Sequence, residues 1–118
     1  MSKTFKQKFS FEKRQAECNR IRKKYKDRIP IIVEEASNSK LNLDKHKYLV
    51  PGDLTIGQFM YVIRKRLTLP PENAMYLFVN NTIPPQSELV HILYDKHKEK
   101  CGFLFCVVSQ ESTFGSII

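Results

Sequence analysis

The chain has 118 residues, of which 42% are hydrophobic, and it carries a formal net charge of +8. This length is typical of one domain with its own hydrophobic core, and eight Phe and five Tyr exclude a chain that is disordered throughout. The longest apolar runs, 74–79 and 103–108, are too short to span a bilayer, and the N-terminus lacks the apolar segment of a secretory signal.

The positive charge is concentrated at the N-terminus. Residues 1–28 contain eleven Lys and Arg side chains and three acidic ones, whereas the other ninety residues contain nine of each sign. Such a basic segment attracts anionic partners, namely lipid headgroups, nucleic acid or acidic protein segments. The alternative is a solvated helix face that only aids solubility, which is the more common outcome for charged runs.

The first predicted element is a helix over residues 11–25, because its apolar side chains recur on one stripe and Ser10 is a suitable N-cap. Pro30 ends any helix and begins a short strand of β-branched residues at 31–33. The polar residues 34–46 predict a loop.

The middle of the chain predicts a strand followed by a helix. Residues 48–50 favour a strand that ends in the turn pair 51–52. Thr55 and Gln58 have the spacing of a capping box, and apolar residues at helical intervals continue the pattern to Leu67. A pair of prolines then ends this helix.

The last third predicts two strands around a short helix. Residues 74–79 favour a buried strand, and Asn80–Asn81 suits a tight hairpin because Asn tolerates a positive φ. A short helix is predicted at 87–98. The run 103–108 is apolar at every position, which predicts a strand in the interior of the sheet.

The predicted order is helix, strand, strand, helix, strand, short helix, strand. It favours an α+β fold of the ubiquitin-like β-grasp type, a four-stranded mixed sheet with a crossing helix, preceded here by an N-terminal basic helical extension. Order alone leaves other α+β folds open. The predicted units are a helical extension packed on the core at 1–27, a β-grasp domain at 28–110 and a flexible C-terminal tail at 111–118.

The cysteines and histidines do not predict a catalytic or metal site. Cys18 and Cys106 are most simply small buried hydrophobes, and an odd, sparse set of three favours reduced thiols in a cytosolic or nuclear setting. Cys101, close to His97 and two lysines, is the only one with an electropositive, partly exposed setting. His97, Cys101 and Cys106 could suggest a metal site, but the pattern lacks a fourth ligand, so a metal site is rejected.

Gly115 lies only three residues from the C-terminus, where it has no turn to make. A backbone without a Cβ can enter a narrow slot and be attacked at its carbonyl. Taken alone this is a weak signal, since many chains end in small residues.

Several blocks of sequence, spread in order over essentially the whole chain, resemble the autophagy ubiquitin-like modifiers, most closely those of the GABARAP (GABA-A receptor-associated protein) type. The blocks are Phe11-Glu12-Lys13-Arg14, Ile21-Arg22-Lys23-Lys24-Tyr25, Asp27-Arg28-Ile29-Pro30, Lys47-Tyr48-Leu49-Val50-Pro51, Gly57-Gln58-Phe59, Ile63-Arg64-Lys65-Arg66 and Phe78-Val79-Asn80-Asn81.

The resemblance implies a chain that is a substrate of conjugation and has no enzymatic activity of its own. A dedicated cysteine protease would cut after Gly115 and remove residues 116–118. Activating and conjugating enzymes would then link Gly115 to phosphatidylethanolamine, whose two acyl chains suffice for stable membrane anchoring. No other cofactor and no metal is expected, and the location would be cytoplasmic, or the autophagosomal membrane after lipidation.

The resemblance also implies binding of adaptors and cargo receptors through an aromatic-x-x-aliphatic motif, added as a strand to the sheet edge at 47–50. Such a motif needs two pockets set apart along the edge. The first pocket would comprise Glu17, Ile21, Pro30, Ile32, Lys47, Leu49 and Phe103. The second would comprise Tyr48, Val50, Pro51, Leu54, Phe59, Val62 and Ile63.

Further residues carried over from the family would recognise charge and the processing enzyme. Acidic residues beside the motif would contact Arg28, Lys45, Lys47 and Arg66. The protease would recognise a surface that includes Tyr76 and Phe78. A monomer is expected, microtubules are a further candidate partner, and nucleic acid is not expected.

Two other classes of function stay open. The first is a basic-armed interaction module that binds RNA or microtubules through residues 1–28 without C-terminal conjugation, in a salt-dependent way. The second is an enzyme that uses Cys101, which would lose its activity on Cys101→Ala.

Overall fold

The computed structural model describes residues 3–37 and 39–111, and its elements follow the predicted order with one short helix added at the N-terminus. The elements are α1 (Phe5–Lys8), α2 (Phe11–Lys24), β1 (Arg28–Glu35), β2 (Lys47–Pro51), α3 (Ile56–Leu67), β3 (Tyr76–Phe78), α4 (Val90–His97) and β4 (Leu104–Ser109).

The four strands form one mixed sheet in the order β2-β1-β4-β3. β1 and β4 run parallel in the centre, and each pairs with an antiparallel neighbour on its outer side. The predicted interior position of the last strand is therefore confirmed. β2 and β3 form the two edges.

Successive side chains of the central strands enter opposite faces of the sheet, as a period of two requires. Ile31 and Val33 of β1 join the larger core beneath α3, whereas Ile32 between them points to the face covered by α2. The same alternation places Leu104 and Cys106 in the larger core and Phe103 on the α2 side. Both faces of the central strands are thus buried.

The N-terminal helices are held on the second face by apolar contacts and two carboxylates. The cluster beneath α2 contains Cys18 and Ile21 together with residues of the sheet, and Phe5 of α1 packs against it. The Phe5 backbone N–H donates to Glu34 Oε2 at 2.7 Å, and Lys6 Nζ lies 2.8 Å from a Glu99 carboxylate oxygen. The division of the chain into units at 27 and 110 stays a prediction.

The predicted helix caps are present. The Ser10 hydroxyl accepts from the Lys13 N–H, and Thr55 and Gln58 form both hydrogen bonds of the capping box. α4 begins at Val90, later than predicted, and its N-cap Leu89 makes no side-chain hydrogen bond. Without a polar cap, the start of this helix could not be read from local sequence.

Two further predictions concern the turns and the first strand. Asn80 and Asn81 adopt φ values of 50° and 64°, which confirms the left-handed turn. β1 is longer than predicted and includes Pro30 and the first two residues of the predicted loop, Glu34 and Glu35. Pairing with β4 extends the strand through these acidic residues, a long-range effect that a local polar pattern does not show.

The expectation that Cys101 is partly exposed is wrong, because only 2% of the residue is accessible. Cys101 packs in the cluster beneath α2 with Cys18. The turn that follows places Gly102 at a φ of +105°. This buried setting removes the observation that suggested a reactive thiol.

Among the glycines that the structure describes, Gly102 is the one that least tolerates a side chain. A Cβ there would lie 2.5 Å from Cys18 Sγ, on a backbone conformation that favours glycine. We expect Gly102→Ala to lower the free energy of unfolding by about 2–4 kcal/mol, from strain and overpacking together. Urea denaturation followed by circular dichroism measures this change.

Cys18→Ala in the same background removes the clashing sulfur and leaves the backbone strain. The double variant should therefore lower the free energy of unfolding by less than the sum of the reductions in the two single variants. Strict additivity would show that the two residues do not interact in the way the structure indicates.

Candidate peptide-binding edge

β2 lies at one edge of the sheet, and no other strand within residues 3–37 and 39–111 pairs with its outer side. The Val33 N–H donates to the His46 carbonyl at 2.8 Å, which makes residues 33 and 46 a hydrogen-bonded pair. Hydrogen-bonded and non-hydrogen-bonded pairs alternate along an antiparallel ladder. From the register, Lys47 and Leu49 occupy non-hydrogen-bonded pairs, so their N–H and C=O groups point away from β1.

The predicted first set of residues lies together on the α2 side of this edge. Ile21, Pro30, Ile32 and Phe103 are buried and form its floor, and Leu49 packs on them half-buried. Lys47 and Glu17 stand at the rim, where Lys47 Nζ lies 2.6 Å from Glu17 Oε2. The structure thus brings all seven residues to one place, and their role in binding stays a proposal.

The predicted second set lies on the opposite, α3 side of the same strand, except for Pro51, which ends the strand. Tyr48, Val50, Phe59 and Ile63 are buried in the main core. Only Pro51, Leu54 and Val62 contribute surface, with Val62 40% exposed. The first four residues can therefore act as the floor of a recess, while the other three are placed to touch a ligand directly.

An open groove of about 630 Å³ continues from this second recess, and the sequence did not indicate it. The groove is lined by Leu54, Thr55, Gly57, Gln58, Tyr61, Val62, Gln86 and Ser87. Tyr61 is 62% exposed on the outer face of α3, a position that the helical period alone could have identified. The contribution of residues 86–87 depends on how that loop folds back against α3.

The four basic residues predicted to meet acidic side chains differ in their surroundings. Lys47 is paired with Glu17, and Arg66 Nη2 lies 3.0 Å from Asp44 Oδ2. Lys45 Nζ stands 5.0 Å from the centre of the Tyr48 ring.

Arg28 is exposed at the start of β1 and lies within salt-bridge distance of no acidic side chain in the part of the chain that the structure describes.

Tyr76 and Phe78 lie on β3, at the edge of the sheet opposite β2. Tyr76 is half-buried and Phe78 is 3% exposed. Gly115 lies outside the described residues, beyond the end of β4 at Ser109. The roles predicted for these three residues stay predictions.

Comparisons with known proteins fit this architecture. The family model described as "Autophagy protein Atg8 ubiquitin like" matches residues 13–115. The chain belongs to the Atg8 family of ubiquitin-like autophagy proteins. The predicted family and the ubiquitin-like fold are confirmed.

Relatives of the Atg8 family match over nearly their full length. The chain is 54% identical to autophagy-related protein 8 of Saccharomyces cerevisiae strain YJM789, covering 98% of this chain and 99% of that protein. It is also 54% identical to autophagy-related protein 8B of Oryza sativa subsp. indica, covering 95% of each. These matches establish the family, and the GABARAP subtype stays a prediction.

Two solved Atg8 structures share the fold. The crystal structure of Trypanosoma brucei ATG8 superposes with a TM-score of 0.88 at 41% identity, covering 98% of this chain and all of that one. Plasmodium falciparum Atg8, solved in complex with a Plasmodium falciparum Atg3 peptide, superposes with a TM-score of 0.87 at 35% identity, covering 96% and 100%.

Other kinds of site find no support in the described part of this Atg8 family member. Residues 3–37 and 39–111 contain no cluster of three or more His, Cys, Asp or Glu side chains that could hold a metal ion. Burial raises the pKa of Cys18 to about 11 and that of Cys106 to about 12, so neither thiol ionises readily. Among the same residues, no helix combines the length and apolar character needed to cross a membrane.

Glu17 is the carboxylate at the rim whose pKa is most strongly shifted. Hydrogen bonds from Arg20 and then Lys47 lower its pKa from 4.5 to about 2. Because the folded-state pKa is depressed, the stabilisation is present above about pH 4.5 and is lost as the pH falls toward 2. The ion pair stands at the surface, so its contribution is modest.

We expect Glu17→Gln to lower the free energy of unfolding by about 0.5–1 kcal/mol at pH 7, with the difference shrinking between pH 4.5 and pH 3. Urea titrations at pH 7, 4 and 3 measure it. Glu72→Gln, which changes an exposed carboxylate without a described ion pair, serves as the control. A difference that grows on acidification would contradict the assignment.

Proposed function

We propose that this Atg8 family member is processed after Gly115, conjugated to phosphatidylethanolamine, and recruits adaptors and cargo receptors with an aromatic-x-x-aliphatic motif to autophagosomal membranes. One observation supports the binding part: β2 lies at an edge of the sheet, with the first predicted set of residues on its α2 side, called the first recess below, and the second set on its α3 side, called the second recess. The conjugation part rests on the family and on the position of Gly115.

The two recesses suit the spacing of the motif. In an extended peptide, residues three apart point to opposite sides, because side chains alternate. A peptide paired with β2 would therefore direct its aromatic residue to the α2 side and its aliphatic residue to the α3 side. The first recess lies toward Lys47 and Leu49, and the second toward Pro51 and Leu54, so the peptide would run parallel to β2.

Backbone pairing and apolar burial would supply complementary parts of the affinity. The outward N–H and C=O groups of Lys47 and Leu49 offer partners to any extended peptide, whatever its sequence. The aromatic residue would add roughly 1.5–3 kcal/mol on transfer from water to the apolar floor of the first recess. Sequence selectivity would thus come from the recesses, while the edge fixes the register.

The enzymes of the conjugation system are a second group of proposed partners. The Plasmodium falciparum relative was solved with a peptide of Atg3, which supports binding of a conjugating-enzyme segment by this chain as well. The processing protease would approach from the opposite edge of the sheet, where Tyr76 is half-buried. Catalytic cysteines would belong to those enzymes, because Cys18, Cys101 and Cys106 are all buried here.

Gly115 suits the covalent steps because no Cβ hinders attack at its carbonyl. Cleavage would expose its carboxylate, which would be activated with ATP, held as a thioester and transferred to the amine of phosphatidylethanolamine. Two acyl chains would then anchor the domain stably to the membrane. The chain would be cytoplasmic before this reaction and membrane-bound after it.

A second candidate function is binding of an acidic polymer through the N-terminal segment. Lys23, Lys24 and Lys26 are exposed around the end of α2, without a described ion pair. This cluster of cations suits the acidic surface of a microtubule, and binding to it would fall steeply with salt. Binding that ignores Gly115 and the β2 edge would favour this candidate.

The peptide site is tested by the double variant Lys47→Ala, Leu49→Ala. We expect it to weaken a fluorescent aromatic-x-x-leucine peptide by roughly tenfold, because it removes part of the first recess. Fluorescence polarisation measures the dissociation constant. Ile83→Ala, which truncates a half-exposed apolar residue after β3, should leave it unchanged. Equal affinities for all three proteins would exclude the site.

Conjugation is tested by Gly115→Ala, because the added methyl group hinders the protease and both transfer steps. We expect the variant to lose both removal of residues 116–118 and any lipid adduct, as measured by intact mass of the protein recovered from its own cells. Ser116→Ala, on the other side of the cut, should still mature. A full-length species that persists unmodified while autophagy is active would contradict the proposal.

A further inference from the structure

We infer that Asp44 is a resident competitor for the acidic residues of incoming peptides, and that it weakens the preference of Arg66 for a carboxylate at the first x position of the motif. This inference deepens the proposed peptide binding and rests on it. It assigns a specificity-determining role to an acidic residue that lies outside both recesses.

Asp44 occupies Arg66 by a contact that another carboxylate can replace. Arg66 Nη2 donates to Asp44 Oδ2 at 3.0 Å, and the same guanidinium lies beside the Tyr48 hydroxyl. The side chains are 40% and 69% exposed, so water and other anions reach both. A guanidinium has five N–H donors and binds carboxylates best through two of them, which leaves donors for a better-placed partner.

The position of Arg66 indicates which peptide residue would reach it. Arg66, in the last turn of α3, pairs with Asp44, which precedes β2, and lies beside Tyr48 near the Lys47 end of that strand, whereas Leu54 and Val62 line the open groove further along the α3 side. In a peptide that runs parallel to β2, the first x residue points to the same face as the aliphatic residue, two positions earlier. It therefore faces the end of α3 that carries Arg66.

The charges around this point make the exchange favourable only for an acidic residue. Lys45 stands over the Tyr48 ring, 5.0 Å from its centre, and has no described ion pair. A peptide carboxylate that displaced Asp44 would meet Arg66 and Lys45 together, while an uncharged side chain would leave the Asp44 pair intact. Before displacement, the Asp44 carboxylate repels the incoming acid, which lowers the affinity of acidic peptides.

Glu17, on the α2 side of β2, is held more firmly by its partners than Asp44 is. It accepts from Arg20 at 3.1 and 2.9 Å and from Lys47 at 2.6 Å, so two cations hold it at once. Its side chain is 28% exposed, against 69% for Asp44. The two resident carboxylates therefore differ in how easily they give up their partner.

The test is a titration of wild type and Asp44→Asn with two fluorescent peptides that differ only in Glu or Gln at the first x position. We expect Asp44→Asn to bind the Glu peptide about two- to five-fold more tightly, the range of exposed ion pairs, and the Gln peptide equally well. The gain should shrink in 0.5 M salt. An unchanged or weaker affinity for the Glu peptide would overturn the inference, since Asp44 would then only orient Arg66 or play no part.

Two further variants separate this contact from a general change in charge. In an Arg66→Met background the gain from Asp44→Asn should shrink, because only the repulsion between Asp44 and the peptide carboxylate remains, whereas a gain of the same size would overturn the inference. Asp53→Asn removes the same charge from another exposed carboxylate and should leave the preference for Glu unaltered. If wild type binds neither peptide, the proposed peptide binding and this inference fail together; if both peptides bind and Asp44→Asn changes neither, this inference alone fails.

Discussion

The parallel pairing of β1 with β4 is the constraint on which the rest of the structure depends. The two strands lie in the middle of the sheet, so their side chains must be buried on both faces. α3 covers one face and the N-terminal helices cover the other. Because helices shield the faces and β4 is enclosed by its neighbours, the exposed backbone of the sheet is confined to its two edges.

Pro30 lies in β1 at a position where a missing backbone N–H is compatible with pairing to β2. Its missing N–H falls where β1 would meet β4, one residue before their parallel register begins. The antiparallel ladder with β2 does not need that donor, since residues 30 and 49 form a non-hydrogen-bonded pair. The outer backbone groups of β2 are then left for another strand, with Pro51 closing the usable length at one end.

Charge near the edge is balanced rather than simply positive. Lys47 and Arg66 are each held by a resident carboxylate, whereas Lys45 lies over an aromatic ring. An exposed edge strand risks pairing with unintended partners, and charged side chains are a common protection against it. The two ion pairs place charged side chains on both sides of β2, which is the kind of protection that an exposed edge strand needs.

The sequence by itself determined the order of elements, the interior position of β4, the capping box of α3 and the family, because each depends on local periodicity, local hydrogen bonds or contiguous blocks of residues. Tertiary structure alone decided the burial of Cys101, the extension of β1 through two glutamates and the pairing of Asp44 with Arg66. It also decided which members of the second recess form its floor. These features come from contacts between segments that are far apart in the chain. A local sequence pattern does not show which distant segments come into contact.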